Sequence, residues 1–195
     1  MLPARSGRMK NTREKILEAA RIAFSEKGFD GVSMEEIAQR AGVRKALIYY
    51  YFPSKEVLFE EVWNSALEEL ENHIFKEIEG ENYYIRKIKR FLRAYIDFVT
   101  SKKVISKVIQ KEKASILDAD QSDSLKSRLK ERYNSFVEKV VKLIEEGKQN
   151  QVIHPDVDPK AAAQIIAEVV NNFNATPETV SSLQTIILRG LTKEA

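Results

Sequence analysis

The chain has 195 residues, of which 43% are hydrophobic and 31% are charged, and its net charge of +3 is small, so the composition argues against a disordered protein. It has no run of about 18 uncharged apolar residues, and its first ten residues lack the apolar segment of a secretory signal, so we expect neither a membrane span nor a secretory signal. The absence of cysteine excludes disulfides, thiol catalysis and cysteine-bound zinc, and it fits the reducing cytoplasm, where we expect this protein.

The first 55 residues predict three helices after a flexible basic arm at 1–10. The first helix is expected to begin near Asn11 or Thr12 and to end at Gly28, with an apolar stripe at helical spacing. A second, short helix follows Ser33, whose hydroxyl is predicted to form a capping box with the residue three positions later. Gly42 provides a turn, and a third helix is expected from about Arg44 to Phe52, where Pro53 stops it.

The rest of the chain predicts six further helices, because apolar residues recur at helical spacing and long alternating segments are absent. Four of them are expected at about 55–78, 82–100, 103–117 and 123–149, and Val57 is assigned to the inner side of the first. The pairs Asp158–Pro159 and Thr176–Pro177 each provide a cap and a first turn for the last two. The predicted fold class is therefore all-α, with about nine helices.

Two short helices joined by a glycine turn, after a longer supporting helix, form the pattern of a helix-turn-helix. Ile48 and Phe52 are predicted to anchor the third helix on the second, so that its phenols and cations face outward. Residues 1–55 contain 11 Lys and Arg against 6 Asp and Glu, a net charge of +5, whereas residues 56–195 have 21 against 23, or −2. A basic surface with exposed rings suits a DNA groove, although a tyrosine-rich protein interface would have a similar composition.

The segment "SMEEIAQRAGVRKALIYYYFPSKEVLF" resembles the DNA-binding signature of TetR/AcrR-type transcriptional regulators. The resemblance covers residues 12 to 60 and includes the Ala41-Gly42-Val43 turn. It implies a homeodomain-like, three-helix DNA-binding domain at 1–55 and a helical ligand-binding and dimerisation domain at 56–195. The recognition helix of the family corresponds here to Arg44–Phe52. The resemblance implies phosphate contacts at Ser33 and Lys55, and the other residues that it implies to bind DNA are Arg44, Lys45, Ala46, Leu47, Tyr49, Tyr50 and Tyr51.

Two positions depart from the family's pattern. Arg44 replaces a small hydroxyl residue at the cap of the third helix, which removes a cap but adds a cation. Leu47 replaces a frequent threonine and cannot hydrogen-bond a base edge, so it either meets a thymine methyl or packs inward.

The resemblance also implies a homodimer built from the last two helices. Both helices have broad apolar bands, which could pack on their own domain or on a two-fold mate. The residues predicted at the dimer interface are Ile166, Val169, Val170, Phe173, Leu183, Ile186 and Ile187.

A ligand pocket for a hydrophobic effector is implied among the middle helices. Its candidate lining residues could equally be plain core; they are Trp63, Phe91, Tyr95, Phe98, Ile109 and Phe136. No metal site or cofactor is expected, because His73 and His154 are far apart in sequence, and no catalytic arrangement that would indicate an enzyme is present.

We therefore expect a homodimeric repressor that binds a palindromic operator in double-stranded DNA and is released by a small effector. The alternative is a DNA-binding interaction protein that recruits another protein through residues 56–195 and has no effector.

Overall fold

The computed structural model describes residues 4–120, 122–172 and 176–193, and in these ranges the chain forms nine α-helices. The predicted all-α class is confirmed; within the described residues, strand-like pairing is limited to one isolated bridge between Ile153 and Thr192. In the same ranges none of the helices has the length and apolarity needed to span a membrane. The helices are α1 (Ala4–Lys27), α2 (Met34–Arg40), α3 (Lys45–Tyr51), α4 (Lys55–Ile78), α5 (Tyr84–Ser101), α6 (Lys103–Leu117), α7 (Ser124–Gln149), α8 (Pro159–Asn172) and α9 (Pro177–Leu191).

Three local predictions need correction. Helix α1 begins at Ala4 and not near Asn11 or Thr12, because residues 4–10 contain no proline and continue the helix. Val57 is exposed rather than internal, since the next two residues of α4, Leu58 and Phe59, occupy the buried side of its first turn.

The capping box predicted at α2 is only half formed. The Ser33 hydroxyl accepts a hydrogen bond from the Glu36 N–H at 3.1 Å. The Glu36 carboxylate accepts hydrogen bonds from Lys27 and Arg40 instead of from the Ser33 N–H, which would complete the box.

The chain divides into two compact units that are both discontinuous in sequence. The first unit comprises Met1–Ala66 and Val104–Leu129, and the second comprises Leu67–Lys103 and Lys130–Ala195. The functional boundary after residue 55, between a DNA-binding domain and a ligand-binding domain, stays a prediction.

The core of the first unit is built around the aromatic rings of α1, α4 and the α1–α2 loop. The ring of Phe59 lies 4.9 Å from that of Phe24, edge to face, and 5.1 Å from that of Phe29. The buried indole of Trp63 donates a hydrogen bond to the Leu129 carbonyl at 3.1 Å, so its polar group is satisfied. Ile16, Ile37 and Ile48, one from each of the first three helices, are fully buried in this unit.

The core of the second unit is formed mainly by α5 and α7. Tyr84 is buried at the start of α5, and its hydroxyl donates to the Leu143 carbonyl of α7 at 2.6 Å. Glu71 of α4 is also buried, and its carboxylate accepts hydrogen bonds from Arg132 at 2.7 Å and from Lys139 at 2.6 Å. These buried polar contacts fix the register of the helices that carry them, because leaving either group unpaired would cost free energy.

Candidate nucleic-acid interface

The turn between α2 and α3 sets the direction of the third helix. Gly42 has φ +66°, the left-handed region that glycine enters without a steric penalty, and its N–H donates to the Gln39 carbonyl at 3.1 Å. The next N–H, of Val43, donates to the Ala38 carbonyl at 3.0 Å. The end of α2 is thus closed by the turn itself, and α3 begins only three residues after Gly42.

Helix α3 has a single buried side chain. Ile48 is fully buried, and Phe52, which ends the helix with its N–H donating to the Ile48 carbonyl at 2.8 Å, is buried beside it. The predicted outward orientation of the remaining surface is confirmed, although its contact with DNA stays a prediction. The exposed residues are Lys45, Ala46, Leu47, Tyr49 and Tyr50, and Tyr51 is half-buried with its ring edge-on to that of Tyr50.

Most cations around α3 are engaged by the chain's own carboxylates. Lys45 pairs with Glu35 at 3.1 Å, and this hydrogen bond raises the pKa of Lys45. Hydrogen bonds, first from Lys27 and then from Arg40, lower the pKa of Glu36. Arg13 pairs with Glu61, and Arg40 pairs with Glu26.

Lys55, predicted to contact a phosphate, is held inside the first unit. Its ammonium donates to the carbonyls of Phe29 at 3.0 Å and Val32 at 3.1 Å, and it stands 4.3 Å from the centre of the Phe29 ring. The Phe29 N–H donates in turn to the Glu112 carboxylate at 2.6 Å. Lys55 and Glu112 therefore hold the two ends of one residue in the α1–α2 loop, a role that the sequence did not indicate.

The structure brings α1 next to the N-terminal end of α3. Asn11, Thr12 and Lys15 line an open cleft of about 760 Å³, whose other wall is the segment Ala41–Arg44 together with Leu47. The sequence analysis missed the α1 side of this cleft. Spacings of three and four residues do place these positions on one helical face, but only the fold shows that this face meets the turn.

Arg44 and Leu47 both line this cleft, so each of the two departures from the family pattern has a defined place. Arg44 is the N-cap residue of α3, and its side chain forms no capping hydrogen bond. This agrees with the prediction, because Arg44 replaces a hydroxyl residue that could have formed one. Leu47 is exposed rather than packed inward, which leaves the thymine-methyl interpretation in place.

The candidate effector residues are all buried. Phe91, Tyr95, Phe98 and Phe136 belong to the second unit, whereas Trp63 and Ile109 belong to the first. The ring of Tyr95 lies 6.1 Å from that of Phe91 and 6.0 Å from that of Phe136. Such ring-to-ring packing is what a hydrophobic core shows, and an effector in the second unit would have to displace it.

Helices α8 and α9 form an apolar groove of about 420 Å³ in the second unit. Of the predicted interface residues, Val169 and Ile186 are exposed and Leu183 and Ile187 half-buried, and all four line the groove. Exposed Ile165, which the prediction did not include, joins them. Phe173 lies outside the described residues.

Ile166 also lines the groove, but both it and Val170 are already buried within the single chain. Since they face its own core, they can support a partner interface but offer little area to it.

Neither histidine is part of a metal site in the described part of the chain, where no cluster of three potential ligands occurs. His73 Nε2 lies 3.2 Å from the Asp97 carboxylate, and the His73 ring packs on that of Phe98. His73 thus contacts one carboxylate and one aromatic ring.

Residues 16–62 match the family model of bacterial regulatory proteins of the tetR family. These residues include α2, α3 and the turn between them. Among the proteins similar to this chain is IcaR of Staphylococcus aureus (strain Newman), a negative transcriptional regulator of the biofilm operon icaADBC. It is 29% identical over 146 residues, which cover 72% of this chain and 78% of the relative.

Solved structures of regulators share the fold over nearly the whole chain. HlyIIR, a hemolysin II transcriptional regulator, is 25% identical with a TM-score of 0.73, over 95% of this chain and 99% of that one. AibR, crystallised with isovaleryl coenzyme A and operator DNA, is 20% identical with a TM-score of 0.75, over 92% of this chain and 99% of that one.

Proposed function

We propose that this chain is a transcriptional regulator of the TetR family, and that it acts as a homodimeric repressor, which binds a palindromic operator through α2 and α3 and is released by a small hydrophobic effector. The matched family consists of regulatory proteins, so the chain is a DNA-binding regulator and not an enzyme. Binding to an operator would place it in the cytoplasm.

The observation that supports DNA contact best is the surface of α3. A seven-residue helix with one buried side chain contributes little to a core, and it exposes two phenols, a leucine and a lysine. Phenol hydroxyls and ammonium groups bond phosphates or base edges, and apolar atoms contact thymine methyls in the major groove. Family membership makes double-stranded DNA the partner that fits this surface.

Repression is supported by IcaR, which is named a negative regulator and is similar to this chain over most of its length. The proposal transfers only the sign of regulation; the operon named for IcaR is a property of that protein.

A homodimer is supported by the exposed apolar side chains of α8 and α9. A two-fold interface uses the same patch on both subunits, so a groove beside protruding side chains such as Ile165 and Ile186 can be filled by the same residues of a mate. A dimer also fits the proposed operator, because two copies of α3 would read half-sites about 34–36 Å apart.

An effector is supported by AibR, whose structure contains both isovaleryl coenzyme A and operator DNA. An effector of this chain that displaced part of the aromatic packing in the second unit would enter an apolar environment. The effector has only to bind the DNA-free conformation more tightly than the DNA-bound one, since differential affinity is what shifts such an equilibrium.

Selection of bound duplexes from a random DNA pool tests the DNA-binding proposal, and a two-fold symmetric consensus is the expected result. Two tyrosines then provide matched variants, because Tyr50 in α3 is 69% exposed and Tyr83 in the second unit is 66% exposed. Tyr50→Ala should weaken binding to the selected operator, and Tyr83→Ala should leave it unchanged. Equal effects of the two variants would contradict the assignment of α3 as the DNA-contacting helix.

The dimer proposal is tested by a second matched pair, Val169→Glu in α8 and Val104→Glu in α6, because both valines are 38% exposed. Val169→Glu should shift sedimentation from dimer to monomer, since it would bury a carboxylate in an apolar interface, and Val104→Glu should not. A wild-type protein that sediments as a monomer would contradict the proposal.

Thermal melts against a panel of small hydrophobic molecules address the effector. Saturable stabilisation that also releases operator DNA is expected; no response across the panel would favour the alternative of a protein-recruiting regulator.

A further inference from the structure

The cleft between α1 and the α2–α3 turn contains two cations that no carboxylate among the described residues neutralises. Lys15 and Arg44 are exposed and line the same cleft, and neither forms an ion pair or a side-chain hydrogen bond with another described residue. None of the eight lining residues is acidic. By contrast, Arg13, Lys27 and Lys45 in the same unit each have a carboxylate partner.

At the opposite end of α3, the nearby cation already interacts with the protein itself. Lys55 follows the helix there, but two of its three donors are used by the Phe29 and Val32 carbonyls, and its charge stands over an aromatic ring. If Lys55 turned its ammonium to a phosphate, it would break the two hydrogen bonds that brace the α1–α2 loop. The free energy lost with these bonds would offset much of the free energy gained from the phosphate contact.

We propose that the cleft holding Lys15 and Arg44 is the principal phosphate-binding site of the DNA-binding domain, and that Lys55 mainly braces the loop. This inference rests on the proposed function, because it takes the DNA backbone as the occupant. The cleft is continuous with the proposed DNA-reading surface, since Arg44 and Leu47 belong to both. A duplex that receives α3 in its major groove would therefore bring a backbone strand over the cleft.

The dimensions are compatible with this arrangement. Seven helical residues span about 10 Å, close to the major-groove width of about 12 Å, so side chains at an end of α3 can reach a groove wall. Asn11 is exposed on the α1 side of the cleft, and its uncharged side-chain amide can donate a hydrogen bond to a phosphate oxygen. Two cations and an amide around one open volume provide the chemistry that binds a phosphodiester.

The test is the salt dependence of binding to the selected operator. Each lost phosphate contact should reduce the slope of log K against log salt by about 0.9, so one substitution in a dimer should reduce it by about 1.8. At 0.15 M salt this corresponds to about thirtyfold weaker binding. Lys15→Gln and Arg44→Gln should each show this change, and Lys142→Gln, an exposed lysine of the second unit, should show none.

Lys55→Gln provides the opposing measurement. It should lower the melting temperature, because the loop loses its brace, and should change the salt slope less than Lys15→Gln does. A large slope change for Lys55→Gln together with an unchanged slope for Lys15→Gln would overturn the inference and leave the proposed function intact. A wild-type protein that selects no DNA would overturn both.

Discussion

Gly147→Ala is expected to destabilise the protein although alanine is the better helix former. Gly147 lies in α7, where replacing glycine by alanine in a helix interior normally stabilises by about 1 kcal/mol. Here a β-carbon would stand 2.3 Å from Cζ of Tyr84 and 2.4 Å from its Cε1 and Oη. The ring would have to move, and it is buried, with its hydroxyl bound to the Leu143 carbonyl.

The expected magnitude follows from three contributions. Overpacking of a core costs about 1–3 kcal/mol, and leaving the buried Tyr84 hydroxyl without its acceptor costs about 1–3 kcal/mol more. The gain in helix propensity offsets about 1 kcal/mol. We expect a net loss of about 3 kcal/mol, which lowers the melting temperature of a chain of this length by about 6–12 °C.

Urea denaturation of a double-mutant cycle isolates the cause. In a Tyr84→Ala background the ring is gone, so Gly147→Ala should become neutral or stabilising, and the coupling energy between the two positions should be large. If Gly147→Ala is neutral in the otherwise wild-type chain, or equally costly with and without Tyr84, the steric reasoning is refuted. Operator binding at low temperature serves as the control for intact folding of the first unit.

Three further predictions concern other charged or strained positions. Burial opposes ionisation of Glu71, but its two cationic partners lower its pKa below the value in the unfolded chain. The ionised carboxylate therefore stabilises the folded state above the unfolded pKa, and this stabilisation is lost as pH falls through the folded pKa. Glu71→Gln should cost about 1–3 kcal/mol in urea titrations at pH 7 and little at acidic pH. Gly42→Ala should lower the melting temperature by about 2–8 °C, because a left-handed conformation costs alanine about 1–2 kcal/mol; an unchanged melting temperature would contradict this. Glu35→Gln should tighten operator binding in a fluorescence titration, since it frees Lys45 from its ion pair; weaker binding would show that Glu35 positions Lys45 for DNA.

The sequence predicted local structure well where single residues dictate the backbone. Gly28 and Gly42 both adopt positive φ just beyond the ends of helices, and Thr176 caps α9 with a formed capping box. These features depend on a few neighbouring residues, so the pattern of residue types suffices to locate them.

Contacts between distant segments could not be predicted in this way. Lys55 matched a phosphate-contact position, yet whether its ammonium points to solvent or to the Phe29 carbonyl depends on how the α1–α2 loop closes over α4. In the same way the apolar band of α8 did not show that Ile166 and Val170 face the chain's own core while Ile165 faces outward. Helical periodicity identifies an apolar band, but the neighbouring elements decide which part of it is covered.

The distribution of paired and unpaired cations bears on how this regulator would discriminate between DNA sequences. Lys45 can reach DNA only by exchanging Glu35 for a phosphate or a base, so its net contribution to affinity is reduced by the interaction it gives up. Tyr49, Tyr50 and Leu47 give up no ionic partner, and their phenol and methyl groups respond to base edges and thymine methyls. The cations proposed to attract phosphates, Lys15 and Arg44, lie beside α3 and not on it. Substitutions on α3 should therefore alter the preference for base sequence more than the salt dependence of binding.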